Sequence, residues 1–307
     1  MKICSLLPSA TEILFALGLG DAVVGVTHEC SFPPEARRKP RVVTSVIDQD
    51  AQPSREIDRI VVEHLRRGDS LYRVDTDLLN RLQPDLLVTQ ELCDVCAIDT
   101  ADVVASIRAL SYRPKVISLH PHTLHEALND ILVIGRDTGR ETAATDLVER
   151  LQARMARVRR LAAQMSTTPR VFCLEWLDPV MASGHWVPEM VELAGGVDVL
   201  GKAGEPSRYV GWEDVVAARP EVMVIMPCGF PIARARRELH LLVSRAGWED
   251  LPAVQRRQVS LVDGPAYFNQ SGPRLVDGLE ILASLINPSA AGLGVPAGAI
   301  EPVGHAG

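Results

Sequence analysis

Two short segments carry side chains that bind metal ions in many proteins. Cys93 and Cys96 are separated by two residues. His28 and Cys30 lie close together nearer the N-terminus, with Glu29 between them. Thiolate and imidazole groups together bind zinc and other transition metals. A strong zinc signal needs two closely spaced ligand pairs, and His28-Glu29-Cys30 is not a usual second pair. Three interpretations stay open: a metal site built from these two cysteines with His28 and Cys30, a redox-active thiol pair at the start of a helix, and thiols that line a cleft.

Aromatic side chains stand out in the second half, because only 4% of the chain is aromatic. Four of them lie in or next to loops that follow predicted strands. They are Trp176, Trp186, Tyr267 and Phe268. Flat rings suit a large planar ligand, whose pocket is mostly apolar with a few polar anchors. Core packing explains any one ring equally well, but their shared placement favours a binding cleft. His185 and His28 are candidate metal ligands, since neutral imidazole binds transition metals.

Composition limits the class of protein. A chain of 307 residues with 47% hydrophobic and 23% charged residues predicts a globular protein, usually of two domains. The net charge of −7 argues against nucleic acid or an anionic membrane as the main partner. No run of about 18 apolar residues is present, so we expect no membrane insertion.

The N-terminus predicts a location. Met1 and Lys2 lead directly into the apolar run that begins at Ile3, which leaves no room for a secretory signal. Cys4 lies too close to Met1 to be a lipoprotein cysteine. The sequence therefore predicts a cytoplasmic protein with mostly reduced cysteines.

Strand and helix patterns alternate along most of the chain. This alternation predicts an α/β fold with mainly parallel sheets. In such sheets, ligands bind at the loops beyond the carboxyl ends of the strands. His28-Glu29-Cys30 follows one predicted strand and Glu91–Cys96 follows another, so both segments are placed where a ligand would bind.

A long helical segment separates the two α/β halves. Thr123 and Glu126 form a capping box, and Thr138-Gly139 interrupts the helical pattern. The run from Glu141 to Met165 would be about 37 Å long at about 1.5 Å per residue. Its apolar residues recur every three or four positions and form one stripe. They are Leu147, Leu151, Met155, Val158, Leu161 and Met165. We interpret this run as a rigid strut between two lobes.

The predicted organisation has four parts. They are an N-terminal α/β lobe at 1–122, a linking helix at 123–166, a C-terminal α/β lobe at 167–287 and a disordered tail at 288–307. The tail prediction rests on its high content of Gly, Ala and Pro.

Several segments in this order resemble one protein family. They are Lys2–Gly18, Gln83–Val88, Glu192–Gly196, Trp212-Glu213 and Ala218–Glu221. The family is the iron-chelate and vitamin B12 group of ABC-importer substrate-binding proteins, a class with a single linking helix, and its cobalamin-binding branch is the nearest. The resemblance covers residues 1 to 287 and implies two α/β lobes joined by one stiff helix, with the ligand in the cleft between them.

The resemblance implies a binding protein rather than an enzyme, with cobalamin or a related corrinoid as ligand. The candidate ligand-binding residues are His28, Glu29, Tyr72, Glu91, Trp176, His185, Trp186, Tyr267 and Phe268. Usual members of the family are exported, so docking to an ABC permease is doubtful for a chain that shows no leader. The alternative is a cytoplasmic metal- or thiol-dependent enzyme, or a metal carrier, that has reused the fold. It would be centred on His28, Cys30, Glu91, Cys93 and Cys96, with zinc or another transition metal bound.

Overall fold

The computed structural model describes residues 1–90, 109–290 and 292–304, and the chain divides into two compact units. Unit 1 comprises Met1–Asp48, Arg59–Pro121 and His125–Val148. Unit 2 comprises Gln49–Asp58, His122–Leu124 and Glu149–Gly307. Each unit is built on its own sheet with helices around it, which confirms the predicted α/β fold with two lobes.

Unit 1 contains a six-stranded sheet in the order β4-β3-β2-β1-β5-β6. Its strands are β1 (Ile3–Ser5), β2 (Val23–Thr27), β3 (Arg41–Ser45), β4 (Tyr72–Val74), β5 (Leu86–Gln90) and β6 (Lys115–Leu119). Neighbouring strands are parallel except β4, which runs antiparallel to β3. The carboxyl ends of the five parallel strands therefore lie along one edge, where ligands bind in sheets of this kind.

The core of unit 1 is formed by side chains from both faces of this sheet. The helices here are α1 (Pro8–Ala16), α2 (Ser54–Arg67) and α3 (Thr76–Leu82). Gly25 in β2 shows how tightly the interior is packed. A Cβ atom at this position would lie 2.9 Å from Cys4 Sγ and 2.9 Å from Val42 Cγ1. Only glycine fits there without movement of the neighbouring strands.

The predicted helical segment between the two halves is present as two helices, α4 (Leu124–Asp137) and α5 (Glu141–Ala162). Gly139 has a φ of 68° and separates them, as the break in the pattern predicted. The predicted stripe on α5 is buried at Leu147, Leu151, Met155 and Val158. The helix ends three residues before the predicted Met165. Its residues through Val148 belong to unit 1, and those from Glu149 onward belong to unit 2.

Unit 2 contains a seven-stranded sheet whose main path is β10-β8-β7-β11-β12-β13. Its strands are β7 (Arg170–Trp176), β8 (Met181–Ala182), β9 (Val197–Asp198), β10 (Arg208–Tyr209), β11 (Val222–Ile225), β12 (Val259–Val262) and β13 (Ile300–Pro302). β7, β11 and β12 are parallel and form the centre of the sheet. β8, β10 and β13 add antiparallel pairs at its sides, and β9 pairs in parallel with β7.

The helices of unit 2 cover this sheet. They are α6 (Val187–Leu193), α7 (Trp212–Ala218), α8 (Ile232–Glu238), α9 (His240–Val243), α10 (Pro252–Gln255), α11 (Gly264–Tyr267) and α12 (Leu275–Ile286). The sequence pattern predicts a loop at Gly264–Asn269, but the structure forms the short helix α11 there. Asp263 caps it by accepting a hydrogen bond from Ala266 N at 3.0 Å. Pro265 lies in its first turn, where a missing N–H costs little.

The prediction of a disordered tail is wrong at Ile300–Pro302. These residues form β13, which pairs antiparallel with β12. Val303 N also donates to Val259 O at 2.9 Å, and the Arg236 guanidinium pairs with the Glu301 carboxylate. A sheet edge offers backbone hydrogen bonds to any chain that can lie beside it, whatever its side chains. The composition of the tail therefore did not decide its conformation.

Candidate functional site

The loop after β2 in unit 1 holds three of the predicted site residues. It is tied down by Arg41, whose guanidinium donates to Thr27 O and, at 3.0 Å, to Cys30 O. His28 is half-buried, and its ring centroid lies 6.0 Å from that of Tyr72, another predicted ligand-binding residue. Unit 1 therefore brings His28, Glu29 and Tyr72 to the carboxyl-end edge of its sheet.

Two ionisable side chains of this loop, His28 and Glu29, have pKa values shifted in favour of their neutral forms. Burial lowers the pKa of His28, and the nearby Arg41 guanidinium lowers it further. Burial raises the pKa of Glu29 to about 7. His28 Nδ1 is buried and has no hydrogen-bond partner among the described residues. A neutral imidazole and a carboxyl that is neutral at mildly acidic pH suit contact with an uncharged or weakly polar ligand.

Cys30 faces the interior instead of the loop surface. Its Sγ lies 3.0 Å from Thr11 Oγ1 and 3.5 Å from Thr27 Oγ1, and burial raises the pKa of the thiol. A metal ligand has to lose this proton and leave these hydroxyl partners, which opposes metal binding. Glu91, Cys93 and Cys96, the other predicted members of the metal or thiol site, lie outside the described residues. Within the described part of the chain, no group of three or more His, Cys, Asp or Glu side chains is arranged to hold a metal ion.

In unit 2, β7 ends with Glu175 and Trp176. Ser207 Oγ donates to Glu175 Oε2 at 2.8 Å, yet burial raises the pKa of this carboxyl to about 7. The Trp176 side chain is largely buried, with 8% of the residue exposed, and its ring centroid lies 4.9 Å from that of Phe230. Its Nε1 is buried and has no hydrogen-bond partner in the described part of the protein. A buried indole N–H normally finds an acceptor, so this donor is set up for a partner that the described residues do not supply.

The loop between β8 and α6 carries His185 and Trp186. Gly184 is required here, because a Cβ atom would lie 2.4 Å from Glu205 O. His185 has a φ of 52°, which is unusual for a residue other than glycine, and its buried Nδ1 has no partner among the described residues. The His122 ring lies 6.1 Å away, and burial together with His122 lowers the pKa of His185.

Trp186 and Phe268 are packed in the interior of unit 2. They are 7% and 1% exposed, and Trp186 Nε1 donates to Phe268 O at 2.8 Å. We predicted both rings as ligand contacts, but Phe268 is part of the core and Trp186 holds its backbone in place. The local pattern of aromatic residues does not distinguish a ring that faces a ligand from a ring that supports the loop from behind. Tyr267 is half-buried, with the Arg274 guanidinium 5.8 Å from its ring centroid.

Asn269 was not among the predicted site residues. Its Nδ2 donates to Met226 O at 3.5 Å, beside the carboxyl end of β11. Its Oδ1 is buried and has no partner within the described residues. The signal that would have found it is its position after the third parallel strand of unit 2, next to Phe268.

The raised pKa of Glu175 gives a pH-dependent contribution to stability. The folded protein holds this proton up to about pH 7, whereas the unfolded chain loses it near 4.5, so stability is full below about 4.5 and falls as pH rises through 7. Glu175→Gln removes the charge at high pH. Relative to the unmodified protein, we expect the free energy of unfolding of the variant to be about 2–3 kcal/mol higher at pH 8 than at pH 5.

Urea denaturation at the two pH values measures this difference. Glu221→Gln is the control, because the backbone N–H of Arg170 and the Arg256 guanidinium lower the pKa of Glu221. That group is ionised in both states from pH 5 to 8, so its replacement should cost the same at both. A Glu175→Gln effect that is equal at pH 5 and pH 8 would show that the carboxyl is ionised throughout.

Comparisons with known proteins show the family of this chain. The family described as periplasmic binding protein matches residues 3–266. The chain belongs to the periplasmic binding protein family. An ABC transporter substrate-binding lipoprotein of Bacillus subtilis, YvrC, is 26% identical over 94% of this chain and 80% of the relative. A vitamin B12-binding protein of Vibrio cholerae is 26% identical over 91% of this chain and 86% of the relative. These relatives are binding proteins and confirm the family resemblance found in the sequence.

Solved structures of family members share the fold. The periplasmic vitamin B12 binding protein of Vibrio cholerae superposes with a TM-score of 0.68 and 22% identity, covering 95% of this chain and 98% of the other. A periplasmic heme binding protein of Pseudomonas aeruginosa superposes with a TM-score of 0.75 and 19% identity, covering 99% and 98%. At these identities, the comparison establishes the fold and leaves the ligand open.

The predicted cytoplasmic location is wrong. The Bacillus subtilis relative is a lipoprotein and the similar solved structures are periplasmic proteins, which points to export. Our prediction rested on the few residues before β1, and these do not decide where the protein works. The doubt about an ABC permease rested on the same residues and loses its basis. Among the described helices, none combines the length and the apolar character needed to span a bilayer.

Proposed function

We propose that this protein is the substrate-binding component of an ABC importer and that its ligand is a large metal-centred macrocycle, cobalamin in preference to haem. The observation that carries the proposal is the position of buried polar atoms without partners. Six side-chain atoms in the described residues are of this kind. Four of them belong to the loops discussed above: His28 Nδ1, Trp176 Nε1, His185 Nδ1 and Asn269 Oδ1.

Such atoms are costly in a folded protein unless something else pairs with them. An unpaired buried donor or acceptor costs about 1–3 kcal/mol, so most are satisfied by protein or water. A ligand with polar groups around an apolar body would satisfy these atoms on binding. Corrins carry amide side chains, which both donate and accept hydrogen bonds. Trp176 Nε1 offers a donor and Asn269 Oδ1 an acceptor, so an amide-bearing periphery suits this set better than carboxylates alone.

The charges in these loops support the same choice. Glu29 and Glu175 are carboxyls whose pKa values burial raises to about 7. An anionic ligand brought close to either would oppose ionisation further and would itself be repelled once they ionise. The neutral amides of a corrin avoid this penalty, whereas the propionates of haem meet it. The relatives include proteins that bind vitamin B12 and proteins that bind haem, so both ligands belong in the test.

Binding would combine stacking and polar contacts. Tyr72, the first residue of β4, and Tyr267, the last residue of α11, have half-buried rings that could stack on such a ligand. Apolar contact contributes about 25 cal/mol per Å² removed from water before the cost of association is subtracted. His28 and His185 are held neutral by burial and can approach a metal centre as imidazoles. The placement of the ligand between the two lobes, implied by the family resemblance, stays a prediction.

Trp176→Phe tests the contribution of an unpartnered donor. Phenylalanine keeps an aromatic ring against Phe230 and removes only the indole N–H and part of the ring. Because Nε1 has no partner in the described protein, the free energy of unfolding should stay the same or rise slightly. Affinity for cobalamin should fall about threefold to tenfold, the value of one hydrogen bond of about 0.5–1.5 kcal/mol.

Trp212→Phe is the matched control, because Trp212 Nε1 already donates to Ala246 O at 2.8 Å. That substitution should lower stability and leave cobalamin affinity unchanged. Titration calorimetry gives the affinities and thermal unfolding gives the stabilities. A Trp176→Phe variant that loses stability and keeps full affinity would show that its N–H serves the fold and not a ligand.

A further inference from the structure

A ten-residue segment from the first half of the sequence belongs to unit 2. We call this segment, Gln49–Asp58, the strap. It stands between β3 and the part of α2 that belongs to unit 1, yet its contacts group it with residues from Glu149 onward. Nothing in its local sequence pattern separates it from its neighbours. Its attachment to unit 2 therefore needs a physical cause.

The cause is a buried ion pair on α8. Arg234 and Glu238 are one helical turn apart, and their side chains are only 5% and 8% exposed. Arg234 Nη2 donates to Glu238 Oε1 at 2.6 Å. The same guanidinium donates to two strap carbonyls, Gln49 O at 2.9 Å and Gln52 O at 2.7 Å. Three hydrogen bonds from Arg234, through Nε and Nη2, thus go to Glu238 or the strap.

Glu238 completes the attachment from the other side of the pair. Its two carboxylate oxygens accept from Ser54 N, at 3.2 Å and 3.0 Å, where α2 begins. Burial opposes the charge, but hydrogen bonds from Ser54 and Arg234 outweigh it and lower the pKa of Glu238. A buried ion pair that also forms hydrogen bonds to the backbone around it is the arrangement in which ionic groups hold one geometry.

The strap lies against two loops of the candidate site. Arg55 Nε pairs with Asp178 Oδ2 at 2.9 Å, and Asp178 follows Trp176 by two residues. At the end of β11, a Cβ atom on Gly229 would lie 2.7 Å from the amide of Gln49, so the strap side chain rests directly on that backbone. The strap therefore covers the chain that leaves β7 and the chain that leaves β11.

Arg234 also contacts Phe230, the ring that packs against Trp176. The Arg234 guanidinium carbon lies 4.1 Å from the centroid of Phe230, and the Phe230 ring lies 4.9 Å from that of Trp176. A cation over an aromatic face at this distance fixes the ring as well as the cation. One buried arginine thus connects the strap on one side with Phe230 and Trp176 on the other.

We infer that the strap is a wall of the ligand site in unit 2 and that Arg234 is a positioning residue, which holds the strap and the Phe230–Trp176 pair in the arrangement that retains the ligand. The inference rests on the proposed function for the identity of the ligand. It assigns to Gln49–Asp58 a role in ligand retention. The strap also has exposed contacts, Tyr209 to Asp58 and Arg237 to Asp50, and exposed pairs hold weakly.

Arg234→Met tests the inference, with Arg236→Met as matched control. Arg236 is on the same helix but pairs with Glu301 in an exposed position away from the strap. Hydrogen exchange followed by mass spectrometry measures protection of the strap amides, and stopped-flow displacement measures cobalamin dissociation. We expect Arg234→Met to speed exchange in Gln49–Asp58 at least about tenfold and ligand dissociation at least about fivefold. Arg236→Met should change neither.

A double variant guards against simple misfolding. Arg234→Met leaves Glu238 as an unpaired buried charge, whereas Arg234→Met with Glu238→Met replaces the pair by apolar groups and usually preserves the fold. This double variant should still unfold cooperatively on heating. Exchange of its strap amides and dissociation of cobalamin should both be faster than in the unmodified protein. Faster strap exchange with unchanged ligand dissociation, or strap amides that exchange freely in the unmodified protein, overturns the inference. If the unmodified protein binds none of the macrocycles, the proposed function fails and the retention role fails with it. Exchange of the strap amides would still show whether Arg234 holds the strap.

Discussion

Replacing Trp186 by alanine is expected to lower the free energy of unfolding by about 3–5 kcal/mol, the usual cost of removing a buried tryptophan side chain. Trp186 is 7% exposed, at the start of α6, and its Nε1 donates to the backbone of Phe268. The substitution removes the ring and leaves that carbonyl without its donor. Urea denaturation followed by circular dichroism measures the loss.

The sequence alone favoured a different outcome for this residue, because it placed the Trp186 ring against the ligand. If the Trp186 ring only contacted the ligand, Trp186→Ala would weaken cobalamin binding more than tenfold, about 1.4 kcal/mol, and would change stability little. Trp186→Phe is the control: it keeps most of the buried ring and should cost only about 1 kcal/mol for the lost hydrogen bond. Equal stability of the alanine variant and the unmodified protein would show that the ring is not part of the core.

Gly278→Ala is expected to destabilise the protein by about 1–3 kcal/mol, although alanine is normally the better residue inside a helix by about 1 kcal/mol. A Cβ atom at Gly278 in α12 would lie 2.2 Å from Tyr267 O and 3.2 Å from Met190 Cε. The first contact is with backbone and cannot be relieved by turning a side chain. The chain from Tyr267 to Asn269 has to move, so affinity for cobalamin should fall as well.

Gly304→Ala provides the comparison, because a Cβ atom there meets nothing within 4 Å. It should change the melting temperature little and leave affinity unchanged. Differential scanning calorimetry gives the first quantity and titration calorimetry the second. A Gly278→Ala variant that is more stable than the unmodified protein would mean that α12 and α11 are not packed as closely as described.

The parts of the fold that follow from local pattern were predicted well. The stripe on α5 and the break at Gly139 depend on residues within a few positions of one another, so the sequence contains the whole signal. The same holds for the parallel strands and for the loop at His28. α11 was missed because a helix of one turn, with proline in it, has too few residues to show a period. β13 was missed because strand pairing at a sheet edge uses backbone groups.

The features that the sequence did not reveal depend on contacts between distant residues. Arg234 and Gln49 are 185 positions apart, and neither end of that hydrogen bond shows in its own neighbourhood. Arg234 and Glu238 are spaced as a helical ion pair, but most such pairs are on the surface, and only tertiary packing buries this one. For the same reason, the sequence did not separate Trp176 from Trp186. The Trp176 N–H has no partner among the described residues, whereas the Trp186 N–H donates to the backbone of the core residue Phe268.

The candidate metal site shows a further limit of local spacing. His28 and Cys30 are two positions apart, yet Cys30 faces Thr11 in the interior while the His28 side chain stays half-exposed. Spacing predicted a shared ligand set because it records only which residues are close along the chain. Which side of the loop each one occupies depends on the helix packed beneath it, and α1 supplies that packing through Thr11.

The measurement that tests the central claim most directly is a titration of the full-length protein with cobalamin, cobinamide, haem and zinc, followed by calorimetry and visible absorption. We predict that each chain binds one molecule of cobalamin with a Kd below about 10 μM and binds haem more weakly. Cys93→Ser should change neither affinity. If no macrocycle binds with a Kd below about 100 μM while zinc binds tightly and requires Cys93, the protein is a metal-binding protein and the proposed macrocycle-binding function is wrong.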